Sequence, residues 1–479
     1  MKLYLVTCLI TSLFLGCNSN SEKGDHAYFG GEIINPNNNY ITLYSNETDR
    51  DTIYLDNNNR FIHKIKNLKS GLYSFTHGGE YQTFLVEPND SLLFRLNTND
   101  FDESLVYTGT GSKKNNYLIK AFLNNEIESK TLSKQKYLEP EAYDKRINKL
   151  KSQRLENLER FIATHETSEL FKKIAESGIN YNYYAYKEMY PFGYFGNNKL
   201  IHFKDLPEGF YDYRSDVDFN DESLSAMYSY NRFLLWHFQN IALQKYYSDG
   251  THQVFDRHAL TYNLDKLKMI DSIVQNKTIK NYVLMHTTRE FIFNSDNAAK
   301  SKSMLDAYLE LSTDEDKKDY LTNLVDATIN LYPGNKIPEI DIVDFNNEEL
   351  NLHSVIKQPT VIYCWSSNFK MSYRNNHYMM KKLKVQYPDM KFIAININDM
   401  DSSSWKKTLN LLKYPTENEY IFKNPNEAVK TFAIAYSQKV LIVDSNRNII
   451  KSNADLFSDN IKEHIEVALA SNKKKLLNQ

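Results

Sequence analysis

The sequence predicts a multidomain α+β protein, with an N-terminal antiparallel β domain, an α-helical middle domain and a C-terminal α/β domain. Three successive patterns support this division. Short apolar runs separated by turn-forming residues come first, apolar residues at helical spacing follow, and strands alternating with helices end the chain. At 479 residues the chain is long enough for each part to have its own hydrophobic core.

Residues 1–17 are predicted to be a targeting segment that is not part of the fold. Their apolar run, Leu3 to Leu15, is too short to cross a bilayer as a helix. The run ends in Leu13-Phe-Leu-Gly-Cys17, which resembles the lipobox of bacterial lipoproteins. The resemblance implies that Cys17 becomes a lipid-modified first residue, so that residues 18–26 form a polar tether to the membrane. An ordinary secretory signal is the alternative.

The sequence contains three cysteines. Cys8 would leave with the targeting segment and Cys17 would carry lipid, which leaves Cys364 as the free thiol of the mature chain. No intramolecular disulfide is then expected. The formal net charge of -2 gives no reason to expect a nucleic-acid partner. No phosphate-binding loop or metal-ligand spacing is present, so no cofactor and no metal are predicted.

Residues 27–112 are predicted to form a β-sandwich-like domain. Short apolar runs there are separated by clusters such as Asn35-Pro-Asn-Asn-Asn39 and Asp56-Asn-Asn-Asn59, which favour turns. The segment Leu85 to Leu93, followed by Thr108-Gly-Thr-Gly111, resembles the small β domain found ahead of thioredoxin domains in Gram-negative lipoproteins. That resemblance implies no reaction for this part of the chain.

Residues 113–331 are predicted to be α-helical because apolar residues recur at helical spacing from Ile147 to Ile162, with charged residues between them. Further helices are expected at residues 224–247, 264–274, 279–293 and 317–331. An aromatic-rich segment, residues 181–213, is expected to interrupt the helices. Its tyrosines either pack a core or form an exposed binding surface, and packing is the more common role.

Residues 335–479 are predicted to be an α/β domain. Strands are expected at residues 340–344, 360–364, 392–397, 440–443 and 448–451, and helices at 371–387 and 459–470. Alternating strands and helices with short connections are typical of a parallel sheet with helices on both faces.

The stretch from Pro359 to Ser372, Pro-Thr-Val-Ile-Tyr-Cys-Trp-Ser-Ser-Asn-Phe-Lys-Met-Ser, resembles a thioredoxin-fold active site, in which a buried strand leads into Trp-x-x-x-Cys-x-x-Cys. The preceding segment, residues 352–359, and the closing segment, Val440 to Ile449, are similar to the TlpA-like branch of that superfamily. The resemblance implies a thioredoxin-like C-terminal fold with a groove that binds extended polypeptide in active relatives.

The chain departs from this family where the chemistry occurs. In a gap-free alignment Trp365 matches the family's tryptophan, Phe369 the first cysteine and Ser372 the second. Phenylalanine cannot attack a disulfide, and a serine hydroxyl is a poor nucleophile without an adjacent base. Gln438 occupies the position of the family's cis-proline. These residues argue against dithiol chemistry.

The favoured hypothesis is an envelope lipoprotein, on the periplasmic face or the outer-membrane surface, that binds a peptide, protein or other ligand. Its degenerate groove would be lined by Trp365, Asn368, Phe369, Ser372 and Gln438. The sequence names neither that partner, nor the membrane, nor the oligomeric state. A purely structural role in an assembly is a further alternative.

The enzymatic alternative is a thiol-disulfide oxidoreductase that uses Cys364 alone, in the Cys-x-x-Ser motif from Cys364 to Ser367. It requires an accessible thiol at a helix N-terminus with a lowered pKa. The gap-free alignment instead places Cys364 inside the strand, where a free cysteine is commonly a small buried residue.

Overall fold

A computed structural model of the chain describes residues 25–45, 49–194, 203–248, 255–367, 370–397, 402–434 and 439–477. The predicted targeting segment and most of the predicted tether lie outside these residues. Among the helices of the described residues, none has the length and apolar character needed to cross a bilayer.

The N-terminal part consists of two four-stranded sheets that face each other. Its elements are β1 (Ala27–Ile34), β2 (Tyr40–Tyr44), β3 (Arg50–Tyr54), β4 (Arg60–Ile65), β5 (Gly71–His77), β6 (Glu80–Val86), β7 (Ser91–Asn97), α1 (Phe101–Ser104) and β8 (Val106–Thr108). The sheets have the orders β4-β1-β7-β8 and β3-β2-β5-β6. The pairing of β1 with β7 is parallel, unlike the other pairings, so the predicted antiparallel arrangement is wrong at this one place.

Aromatic side chains from both sheets fill the space between them. Phe29 stacks on Phe84 with ring centroids 4.4 Å apart, and Phe75 stacks on Phe94 at 5.0 Å. All four rings are buried, so they supply a large apolar area to one shared core. Asn35 has a left-handed backbone with φ 56°, which asparagine tolerates, in the first of the predicted turn clusters.

The middle part is helical. Its helices are α2 (Ser112–Gln135), α3 (Pro140–Thr164), α4 (Glu169–Tyr194), α5 (Tyr228–Ser248), α6 (Leu260–Ile273), α7 (Lys277–Asn294), α8 (Ala298–Leu311) and α9 (Glu315–Asn330). The interruption predicted at residues 181–213 is wrong at its start, because α4 continues to Tyr194, whereas residues 203–213 contain no α-helix, as expected. Tyr181, Tyr183, Tyr186 and Tyr190 are buried along α4, so they pack the core of this part as expected for the more common role.

A buried ionic network joins α4 to α5 and to the segment between them. Glu188 on α4 has no exposed side-chain surface, and its Oε1 lies 2.9 Å from both the Nε of Arg214 and the Nδ1 of His237. Burial alone would raise the pKa of Glu188, but the hydrogen bond from His237 and the charge of Arg214 outweigh it and lower the pKa. The carboxylate therefore stays charged and holds three segments of the helical part together.

The C-terminal part contains a seven-stranded sheet with the order β10-β9-β13-β12-β11-β14-β15. Its elements are β9 (Asp341–Asp344), β10 (Glu349–Asn351), α10 (Leu352–Val355), β11 (Thr360–Trp365), α11 (Lys370–Gln386), β12 (Lys391–Asn396), α12 (Ser402–Leu412), β13 (Glu419–Phe422), α13 (Pro425–Thr431), β14 (Lys439–Val443), β15 (Ile449–Lys451) and α14 (Asn460–Leu477). The strands β11, β12 and β13 are parallel, while β14 runs antiparallel to β11. The sheet is thus mixed.

The central strand β11 has all six residues buried, and its two faces pack into different cores. Val361, Tyr363 and Trp365 face a core formed with α11, α12 and α14. Ile362 and Cys364 face the opposite side, where the core also contains residues of α13 and continues into the helical middle part. Both faces of the sheet are covered, as predicted for a strand with a continuous apolar run.

Candidate functional site

The strand–loop–helix arrangement that resembles a thioredoxin-type active site is present. The strand β11 ends at Trp365, and α11 begins at Lys370. Ser372 lies in the first turn of α11, although its side chain is not described. Asn368, Phe369 and Gln438 lie outside the described residues, so their assignment to the groove stays a prediction.

Cys364 lies inside β11 and is 1% exposed. Its neighbours across the sheet are Ile395 on β12 and Lys439 on β14. Burial raises the pKa of the thiol to about 12, and the nearby Lys439 lowers it only in part. The thiol is therefore protonated at neutral pH and is not placed at a helix N-terminus, which is the reverse of what the single-thiol alternative requires.

Lys439 is the charged residue paired opposite Cys364, and it is 5% exposed. Burial lowers the pKa of its ammonium to about 8, and Cys364 opposes that shift. Both titratable groups of this pair are thus shifted towards their neutral forms, as expected for groups held in an apolar environment.

Trp365 is fully buried on the opposite face of β11, where it belongs to a polar cluster inside the core. Its Nε1 donates to Oε2 of Glu419, the first residue of β13, at 3.2 Å. Oε1 of Glu419 lies 3.1 Å from Nε2 of His377 on α11, and Nδ1 of His377 lies 2.7 Å from the carbonyl oxygen of Tyr373. The cluster therefore connects β11, β13 and α11.

Aromatic rings surround the imidazole of His377. Tyr414 stacks on it with centroids 4.3 Å apart, while Trp365 and Tyr363 approach it edge-on at 5.0 and 5.4 Å. The pKa of Tyr363 is raised well above its usual value, mainly by burial and also by the charge of Glu419. These aromatic rings exclude water from the carboxylate of Glu419. The hydrogen bonds of Glu419 are therefore made in an apolar environment, which strengthens them.

Sequence reasoning identified Trp365 but missed Glu419 and His377. His377 follows Tyr373 by four residues on α11, so its helical face could have been anticipated. Glu419 is 54 positions from Trp365, and no local pattern links the two residues. Within the described residues, no group of three or more histidine, cysteine or acidic side chains could hold a metal ion.

No protein-family profile matches the chain, and no curated protein matches it either. Solved structures that are similar to it are thioredoxin-like. A thioredoxin-like protein from Bacteroides caccae is 13% identical, covering 44% of this chain and 78% of that chain with a TM-score of 0.33. The thioredoxin domain of a thiol-disulfide oxidoreductase from Bacteroides vulgatus is 14% identical, covering 28% of this chain and 99% of that chain with a TM-score of 0.25.

A third similar structure is a domain of a possible thiol-disulfide isomerase from Cytophaga hutchinsonii. It is 20% identical, covering 31% of this chain and 98% of that chain, with a TM-score of 0.26. At these identities and TM-scores, the similarities establish neither an activity nor a partner. The described residues form a mixed α/β structure with several sheets.

Proposed function

We propose that this chain is a cell-envelope lipoprotein whose thioredoxin-like region has lost dithiol chemistry and binds a peptide, a protein or another ligand. The observation that carries the proposal is the burial of Cys364 inside β11. A thiol-disulfide oxidoreductase needs a thiolate that can reach its substrate, and this cysteine supplies neither the thiolate nor the access.

The raised pKa of Cys364 leaves very little thiolate at neutral pH. At a pKa of about 12, only about one thiol in 10⁵ is ionised at pH 7, compared with a few per cent for an ordinary cysteine. Phe369 and Ser372 replace the two family cysteines in the gap-free alignment, so the sequence offers no second thiol nearby. The single-thiol reading of Cys364 to Ser367 has no comparable support.

The proposed binding role uses the groove beside the degenerate active site. Asn368, Phe369, Ser372 and Gln438 are the residues proposed to line it. The sequence predicted that Trp365 lines the groove, but its side chain has no exposed surface. We propose that it lies beneath the groove, where its hydrogen bond to Glu419 supports the end of β11. Binding in this groove would require no covalent step.

Insulin reduction tests the proposed loss of redox activity. We expect the chain from residue 18 onward to reduce insulin with dithiothreitol no faster than dithiothreitol alone, because Cys364 is buried and protonated. Thioredoxin serves as the positive control, and Cys364→Ala should match the unchanged protein. A rate above background that Cys364→Ala abolishes would establish the single-thiol oxidoreductase instead.

We also propose that lipid on Cys17 anchors the protein, a proposal supported by Leu13-Phe-Leu-Gly-Cys17 alone. In a Gram-negative host fed labelled palmitate, the protein should take up label and sediment with membranes. Cys17→Ser should remove the label, because the sulfur that accepts the lipid is gone. Equal labelling of Cys17→Ser and the unchanged protein would exclude Cys17 as the anchor.

A further inference from the structure

A cavity of about 1110 Å³ lies between the N-terminal sheets and the helical middle part. Side chains from β5, β6, α1, α2, α3, α4 and the start of α5 form its walls. Its volume is that of a site for an organic ligand of moderate size. None of its lining residues belongs to β11 or to the proposed groove, so this cavity is independent of the function proposed above.

Two exposed tyrosines from different parts of the fold lie at the mouth of the cavity. Tyr81 on β6 is 57% exposed, and Tyr228 at the start of α5 is 66% exposed. Both tyrosines line the cavity together with Asp102. Exposed aromatic side chains at the rim of a cavity are common anchors for ligands.

Three carboxylates line the outer side of the cavity, namely Glu80, Asp102 and Glu126. Burial, together with repulsion from Glu126, Glu80 and Glu103, raises the pKa of Asp102 to about 6, although a hydrogen bond from Gln82 opposes the shift. Among the described residues, no lysine or arginine forms an ion pair with any of the three lining carboxylates. Lys113, Lys120 and Arg154 also line the cavity, and Arg154 pairs with Glu128. The three carboxylates repel one another, so a cation bound among them would be stabilised.

The inner end has the opposite character. Arg232 follows Tyr228 by one helical turn on α5, so both residues share a helix face. Its guanidinium lies 4.5 Å from the ring centroid of Tyr186, and its Nη1 lies 3.4 Å from Oδ1 of Asn182. In the described part of the chain, no aspartate or glutamate forms an ion pair with Arg232.

Asn182 contributes a hydrogen-bond donor at this inner end. Its side chain is 6% exposed, and its Nδ2 is buried without a hydrogen-bond partner among the described residues. A buried amide donor without an acceptor is costly, so an acceptor from a ligand would stabilise it. Arg232 and Asn182 together present a cation and a free N–H donor, the combination that binds a carboxylate.

We propose that this cavity binds a short peptide with free ends, with its ammonium among Glu80, Asp102 and Glu126 and its carboxylate on Arg232 and Asn182. A dicarboxylate or a diamine would satisfy one end of the cavity and be repelled by the other, and a neutral sugar would leave both charged ends uncompensated. The cavity volume of about 1110 Å³ is large enough for a short peptide.

Calorimetric titration with defined peptides tests the proposal directly. The chain from residue 18 onward is titrated with Ala-Phe-Ala, its N-acetylated form, its C-terminal amide and maltotriose. The free peptide is expected to bind, and each blocked peptide should bind at least 10-fold more weakly, because each block removes the charge that one end of the cavity recognises. No binding of Ala-Phe-Ala up to millimolar concentration, equal binding of all three peptides, or stronger binding of maltotriose would overturn the proposal.

Single substitutions assign each end of the ligand. Arg232→Gln should bind Ala-Phe-Ala at least 10-fold more weakly and lose the preference for the free carboxylate over the amide. Asp102→Asn should weaken binding similarly and reduce only the preference for the free amine. Arg60→Gln is the matched control, because Arg60 is an exposed arginine on β4 that pairs with Glu32, and it should leave binding unchanged.

Folding of each variant is checked by circular dichroism. Asp102→Asn keeps an acceptor for Gln82, so it carries the test even where Arg232→Gln does not fold. Preferences among the peptides that both substitutions leave unchanged would contradict the proposed orientation. The insulin and palmitate experiments involve Cys364 and Cys17 alone, so their outcomes are separable from these.

Discussion

Trp365→Ala is expected to destabilise the C-terminal part by about 3–5 kcal/mol. The indole has no exposed surface, and its removal would leave a cavity inside a sheet covered on both faces. The substitution also removes the hydrogen bond to Glu419, which would leave that buried carboxylate with His377 as its side-chain partner. Loss of packing and loss of the hydrogen bond act in the same direction.

Urea unfolding followed by tryptophan fluorescence measures this change, since Trp405 on α12 reports on the same core. Trp365→Phe keeps most of the ring but loses Nε1–H, so a smaller loss of about 1–3 kcal/mol is expected. Tyr378→Ala is the matched control, because Tyr378 is an aromatic residue on α11 that is 58% exposed, and it should change stability by less than about 0.5 kcal/mol. Equal effects of Trp365→Ala and Tyr378→Ala would contradict this account of the cluster.

The sequence predicted elements best where a local pattern determines them. The apolar run from Thr360 to Cys364 predicted β11, and the helix predicted at residues 371–387 is observed as α11, Lys370–Gln386. The strands β12, β14 and β15 also coincide with predicted segments. Each of these elements has an apolar period or continuous apolar run of its own, so its type is visible without knowledge of its neighbours.

Features that depend on partners distant in sequence were missed. The parallel pairing of β1 with β7 joins strands separated by five others, and nothing in either strand specifies its direction. The strand β13 is only four residues long and begins with Glu419, a residue unfavourable in strands, whose burial is explained by His377 and Trp365. The continuous helix α4 shows tertiary packing of its tyrosines outweighing local signals for interruption.

The candidate sites also differ in whether local sequence or distant residues determine them. A substituted active-site motif is a local feature, so Phe369 and Ser372 could be identified in the sequence, and the burial of Cys364 could be anticipated from its place in an apolar run. The cavity that contains Asp102 and Arg232 is formed by seven elements from two parts of the fold. No spacing in the sequence relates those residues, which is why only the structure brings them together.

The alkylation rate of Cys364 should be much lower in the native protein than in the unfolded protein. In the chain from residue 18 onward, Cys364 is the sole thiol. At pH 8 a pKa of about 12 reduces the thiolate fraction by roughly 10³-fold relative to an ordinary thiol. Burial of the sulfur slows its encounter with an alkylating reagent further, so the native rate should be at least about 10³-fold below the rate in denaturant.

A control with an exposed thiol calibrates the measurement. Ser303 is exposed on α8, so Cys364→Ala combined with Ser303→Cys carries one accessible thiol, which should be labelled at similar rates in the native and unfolded protein. This control separates the effect of denaturant on the reagent from the effect of burial on Cys364.

The pH-dependent alkylation rate of Cys364, measured natively and in denaturant, is the most direct test of the proposed loss of redox chemistry. We expect that the Cys364 thiol is not alkylated in the native protein across pH 6–9 and that it is alkylated when the protein unfolds. Native labelling within about 10-fold of the unfolded rate, with an apparent pKa below the ordinary value of about 8.5, would contradict the account and support the single-thiol oxidoreductase.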